Sequence, residues 1–230
     1  MPPLSESASS IPWEAPGPML SRLWSTARQS AVLPELVFGK LRDGPVLGAC
    51  SFALIAELVA LGSLALVGLG LSFVLVPDVA GVVVSMVVSH APLAWAVALA
   101  VPVLASAMVG LHALWGVALE LGAGLTGSGW RPQRGLRFAF YSCGWDLLTS
   151  PAGLVFGLVS GGAGRAWRET VCAARVPRAA MDAYLKDSRE LSPVNVVRTR
   201  RLVVLFMSLP VLATVLAMVW LVVAAIVKVS

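Results

Sequence analysis

The stretch Leu136–Ala163, LRFAFYSCGWDLLTSPAGLVFGLVSGGA, decides how the rest of the chain is arranged, because its path relative to a membrane sets the side on which every later residue lies. Apart from Arg137 its only charge is Asp146, Pro151 divides it, and Gly153, Gly157 and Gly161 recur every fourth residue in its second half. A proline lacks the backbone N–H that a continuous helix needs. Glycines four apart leave a flat strip on one helix face, against which another helix can lie closely. The pattern predicts two packed helices meeting at Pro151.

Long apolar runs flank this stretch. Val46–Val76 holds 31 residues with Glu57 as its only charge, more than the ~20 needed to cross a hydrocarbon core of ~30 Å. Ala49, Ala53, Ala56 and Ala60 give it a small-residue face for a neighbour. Ala91–Leu121 is a second span, carrying His112 and ending beside Glu120, and Leu202–Val227 is a third, bracketed by Arg198, Arg200, Arg201 and Lys228. Val79–Ser89 is too short to cross and fits an interfacial or re-entrant piece.

Composition agrees, with 58% hydrophobic and 13% charged residues, a balance outside that of soluble domains. No basic block forms a nucleic-acid-binding stripe, so no nucleic-acid partner is expected. Cys50, Cys143 and Cys172 lie far apart in sequence, which suggests neither a disulfide framework nor a metal site. Gly122, Gly124 and Gly127 match the spacing of a dinucleotide-binding loop, yet a membrane span precedes them instead of a strand, so no cofactor is expected. The front of the chain lacks the basic and apolar regions of a cleaved signal.

Residues 1–18, rich in proline and serine, read as a flexible tail. Residues 19–45 read as interfacial amphipathic helices: Leu20, Leu23, Trp24, Ala27 and Ala31 fall at helical spacing, interrupted at Pro34. A helix packed on the protein's own membrane domain explains the same pattern equally well.

Cytoplasmic loops carry the excess Lys and Arg. Four such residues precede Val46, residues 77–90 have none, residues 122–137 have three and residues 164–201 have nine. If 138–163 crossed once, the nine-charge region would face outward. Crossing and returning keeps every basic region inside. The expectation is therefore an all-α, polytopic transmembrane helical bundle with about five membrane-embedded segments, near 46–76, 91–121, 137–150, 152–175 and 202–227. Its N-terminus and its basic region 164–201 are cytoplasmic and its C-terminus is outside. Thirteen residues on either side of Pro151 are short for two spans, and a half-inserted hairpin is the competing picture.

At this level the order of features resembles the Yip family of five-span membrane proteins. The likeness covers roughly 26–180. It rests on Thr26, Pro34 and Phe38 before the first span, on His112 and the glycine turn around the second, on Leu136, Arg137 and Tyr141 leading to Pro151 and Gly153, and on the pair Arg178 and Ala179. The family's eukaryotic members cycle between endoplasmic reticulum and Golgi and interact with Rab GTPases; prokaryotic relatives exist without Rab partners, and there the resemblance implies architecture more than activity. Asp146, usually apolar in the family, and the polar trio Arg165, Arg168 and Glu169 depart from its pattern.

Ionisable residues within spans are functional candidates by default. Glu57, His112, Glu120 and Asp146 could form a proton or cation relay if they met across the bundle. The plainer reading pairs Glu57 and Asp146 with Arg137, Arg165 or Arg168 as helix ties. Arg178, Met181, Tyr184, Lys186 and Arg189 lie on a polar helix suited to a partner or to anionic lipid, each basic residue adding about 1 kcal/mol near such a surface; a helix capping its own bundle is the alternative. His90 and His112 are the only histidines, too few for a zinc hydrolase, and no catalytic motif is present. The expected function is a non-enzymatic membrane-organising, trafficking or assembly component in contact with the bilayer and with a membrane partner or further copies of itself. The alternative is a small transporter or channel subunit using Glu57, His112 and Asp146. The Ala, Val, Leu, Gly and Arg bias suggests a GC-rich prokaryotic genome, hence the bacterial inner membrane, or the endoplasmic reticulum or Golgi in a eukaryote.

Overall fold

The computed structural model describes residues 11–209 and Leu212, without the side chains of 172–175. The described chain is helical: α1 Met19–Val32, α2 Pro34–Phe38, α3 Val46–Leu75, α4 Pro77–Ser89, α5 Ala91–Leu125, α6 Pro132–Ser142, α7 Gly144–Thr149 and α8 Pro151–Ala183. A π-helical turn follows at Tyr184–Ser188, and residues 193–209 form α9. Prolines open α2, α4, α6 and α8 within their first turns, where the missing N–H has no partner to lose.

Among the described residues, α3 and α5 are long and apolar enough to cross a membrane, and a third span results only if the bent pair Pro132–Thr149 and Pro151–Val171 is counted as one. The expectation of five segments is therefore corrected to two or three here. Most of the segment expected at 202–227 lies outside the described residues.

The physical reason is the path of Leu136–Ala163. α7 has 6 residues, the chain bends by 73° at Ser150, and α8 breaks at Gly162, whose φ of 76° is open to glycine. Beyond that break the helix folds back: a Cβ on Gly157 would stand 3.0 Å from the Cα of Ala166, although nine residues of straight helix would separate them by about 13 Å. The leg 151–161 rises about 16 Å, half of a ~30 Å core. Geometrically this is a short helical hairpin with an exposed tip at 161–164.

α3 and α5 pair as an antiparallel hairpin through α4. The ends near α4 expose apolar side chains such as Leu66, Val74, Leu75, Trp95 and Val103. The opposite ends are buried, with Ala49, Phe52, Ala53 and Ala56 on α3 and Ala118, Leu119 and Ala123 on α5 enclosed by the shorter helices. Phe38, Trp115, Phe138, Trp145 and Tyr184 form a connected set of ring contacts there, mostly edge-on or tilted. α5 and α6 touch at two glycines: a Cβ on Gly116 would lie 2.5 Å from the Gly135 carbonyl oxygen.

Residues 11–18, expected within a tail, are docked instead. Ile11 and Trp13 are buried; the Trp13 indole donates to Gly48 O at 2.8 Å, its backbone N–H donates to Thr26 Oγ1 at 2.8 Å, and its ring meets Phe52 edge-on. Two large apolar side chains supply the burial that the prolines and serines around them lack. Residues 1–10 lie outside the described residues. The apolar face of α1 is likewise turned inward, with Leu23, Trp24, Ala27 and Ala31 buried against the domain, so α1 packs on its own bundle along that face.

One end of the molecule collects the connecting loops. Ser188 Oγ donates to Leu41 O at 3.0 Å, Arg134 donates to Ser188 O at 3.0 Å, and Asn195 donates to Thr126 O at 2.8 Å. The loops near 40, 126 and 188 therefore share an end.

Candidate functional site

Three of the four ionisable residues singled out in the apolar stretches come together. His112 on α5 stands between Asp146 on α7, with Nε2 to Oδ2 at 3.0 Å, and Glu57 on α3, with Nε2 to Oε1 at 3.6 Å. The α6–α7 junction completes the group. Cys143 and Asp146 are three residues apart on one turn, so both face the long helices. The reactive atoms of Glu57, His112 and Cys143 all lie within 4.8 Å of one another. Ser142 Oγ lies 2.5 Å from Ala139 O, to which it donates, and 3.3 Å from His112 Nδ1. A hydroxyl has one proton; with that proton on Ala139 O, Ser142 accepts from Nδ1–H and leaves Nε2 facing the carboxylates.

Burial is graded across the group. The side chains of Glu57, His112 and Asp146 are 2%, 15% and 42% exposed. Glu57 Oε1 is buried with no hydrogen-bond partner. A crevice of about 240 Å³ reaches Glu57 and Asp146 between Leu61, Leu64, Met108 and Pro151.

Of the anticipated arginine partners, Arg137 and Arg165 are engaged elsewhere and Arg168 is exposed. Arg137 pairs with Glu14 and donates to Arg42 O, while Arg165 and Arg28 both reach Glu169, at 3.0 Å and 2.6 Å. Among the described residues no lysine or arginine forms an ion pair with Glu57 or Asp146. Among the described residues His112 is the one basic group paired with them. Two carboxyl groups thus face one imidazole, an arrangement suited to hold a proton or a cation among them.

Glu120, the fourth candidate, belongs to a separate buried group. It accepts from the Tyr184 hydroxyl and from Arg131 N–H at 3.0 Å and pairs with Arg189 at 3.3 Å. Burial, together with the neighbouring Glu120 charge, raises the Tyr184 phenol above its ordinary pKa. Of the residues expected to present a partner or lipid face, Tyr184 and Arg189 are thus turned inward, and Met181 packs partly buried against the core. Arg178 and Lys186 remain exposed. The reason is the π-helical turn, which rotates Tyr184 and Leu185 into the core.

Sequence reasoning missed Cys143 and Ser142 as members of the His112 group, and missed Glu14. The three-residue step from Cys143 to Asp146 was the available signal for the first. Glu14 offered none: it lies in the proline-rich front, yet accepts from Arg137 and, at 2.6 Å, from Tyr141. No family model, no curated protein and no solved structure matches this chain.

Proposed function

We propose that this chain is a non-enzymatic multi-pass integral membrane protein of the Yip type, which organises a membrane or assembles a complex through helix and lipid contacts. The observation that carries this reading is where the Yip-like residues fall. Thr26 holds Trp13, Phe38 meets Phe138 and Trp145, Arg137 and Tyr141 hold Glu14, and His112 joins α5 to α7. Gly153, just after Pro151, packs where any side chain would meet the Leu147 and Leu148 carbonyls. Residues scattered over more than a hundred positions thus act as the joints of one core, as expected if the likeness is architectural.

In this reading the N-terminus and the basic region 164–201 face the cytoplasm of a bacterial inner membrane. The exposed apolar flanks of α3, α4 and α5 meet lipid or a membrane partner, and Arg178 and Lys186 lie toward headgroups or a cytoplasmic partner. Purification in mild detergent should retain a stoichiometric partner that K186E together with R178E releases. Solute flux through the protein alone in vesicles would count against it.

A second reading, a small transporter or channel subunit, is favoured by the convergence of Glu57, His112 and Asp146 beside an open crevice. Here E57Q, H112A and D146N should each reduce proton-coupled or cation flux in vesicles. Unchanged flux in the triple variant eliminates this reading.

A further inference from the structure

We propose that Glu57, His112, Cys143 and Asp146 form a binding site for one divalent cation of the zinc class. Glu57, His112 and Cys143 already hold their ligand atoms within 4.8 Å of one another, and Asp146 reaches His112 from the same side, so side-chain adjustments of about 1 Å close the set on one ion. Ligand atoms held ~2.0–2.3 Å from a tetrahedral zinc stand about 3.3–3.7 Å apart. Here His112 Nε2 lies 3.6 Å from Glu57 Oε1 and 3.0 Å from Asp146 Oδ2, and the Cys143 sulfur is within 4.8 Å of the Glu57 and His112 ligand atoms.

Chemistry points the same way. One imidazole nitrogen, one sulfur and two carboxylates suit a borderline ion, and are a poor match for magnesium or calcium, which take oxygen ligands. Ser142 orients the ring through Nδ1, the outer contact that metal-bound histidines ordinarily have, so Nε2 is the nitrogen presented to the ion. The second, independent observation is Glu57. Its side chain is 2% exposed, and Oε1 faces His112 Nε2 at 3.6 Å without accepting a hydrogen bond, a costly position for a buried carboxylate oxygen. A dication offsets the Glu57 carboxylate and the Cys143 thiolate, whose proton is released to solvent as the metal binds, and Asp146 completes the set, where among the described residues no arginine or lysine is paired with either carboxylate. The ion would join α3, α5 and the α6–α7 junction at one point, and the crevice beside Asp146 gives it a way in. This site does not depend on whether the chain assembles partners or moves solute.

The test uses the full chain in mild detergent, stripped with a chelator, with zinc or cobalt(II) alone as the probe. About one equivalent of zinc should survive desalting, and cobalt(II) should give the visible bands of a tetrahedral centre with a near-ultraviolet thiolate-to-cobalt band. C143S should abolish that thiolate band, H112A and E57Q should weaken zinc binding at least tenfold, and H90A should bind as wild type. Zinc retention equal in wild type and H112A overturns the proposal, as does a cobalt spectrum that C143S leaves unchanged. Should H112A fail to fold, C143S, nearly isosteric and checked for a single species by gel filtration, decides the outcome by its spectrum.

Discussion

Glu120 and Arg189 form an ion pair of 3.3 Å with side chains 0% and 1% exposed, tying the end of α5 to the turn that follows α8. A buried pair contributes little net stability when intact, but removing one member leaves an unpaired charge in low dielectric and costs ~3–5 kcal/mol. E120A and R189A should each lower the free energy of unfolding in detergent by that much, and E120L combined with R189M should lose much less than the sum. Y184F leaves Glu120 two donors and should cost about 1–2 kcal/mol. A loss in the double variant equal to the sum of the two single losses would show that the two residues act separately.

Gly116 and Gly135 fix how closely α5 and α6 cross, and so where His112 stands relative to Asp146. A methyl group on Gly116 meets the Gly135 carbonyl oxygen at 2.5 Å and the Ala139 Cβ at 2.8 Å. Overpacking of this kind costs ~1–3 kcal/mol, and it pushes α6 outward. Gly124 lies on the same helix with nothing within 4 Å, so G124A gains helix propensity, about 0.5–1 kcal/mol. The expected order of thermal stability is G124A at or above wild type and G116A well below. G116A as stable as wild type would mean that α6 can retreat without cost.

Much of the fold was legible in the sequence because period and length are local properties. The spans of α3 and α5 follow from uninterrupted apolar runs, and the joint near Pro151 follows from proline chemistry. The reversal at Gly162 was not legible: Gly153, Gly157 and Gly161 read as a packing strip whichever helix covers them, and the residue that covers Gly157 proves to be Ala166 of the same hairpin. The site divided along similar lines. Glu57, His112 and Asp146 stand out because charge in an apolar run is rare, whereas their partners are set by tertiary packing. Arg137 could as well have met Asp146 as Glu14, and only the docking of Trp13 brings Glu14 within reach.

Asp43 gives a pH dependence of known sign. The Arg134 guanidinium donates to both of its carboxylate oxygens, at 3.2 Å and 2.9 Å, and holds its pKa below the ordinary 3.8. A depressed carboxylate stabilises the fold above its unfolded pKa, and that contribution is lost as pH falls through the folded value. The side chain is 52% exposed, so solvent and salt limit the contribution to less than about 1 kcal/mol. D43N should therefore be slightly less stable than wild type at neutral pH, and the difference should shrink below pH 3.8. A gap that persists in acid would assign the loss to packing instead.

The loops that share one end of the molecule make sidedness testable without any assumption about the hairpin. Lys186 is exposed close to Ser188, whose hydroxyl donates to Leu41 O and whose carbonyl accepts from Arg134. Gly129 is exposed, and its carbonyl accepts from Arg189. His90, between α4 and α5, is exposed at the far end of the long pair. If α3 and α5 cross the bilayer, single cysteines G129C and K186C must face one compartment and H90C the other. With Cys50, Cys143 and Cys172 replaced, a membrane-impermeant maleimide applied to oriented vesicles should label G129C and K186C from the same side. It should label H90C only after the vesicles are opened or inverted. Labelling of K186C from the His90 side would mean that the stretch after Pro151 carries the chain across, and would put the packed end on two sides of a membrane at once.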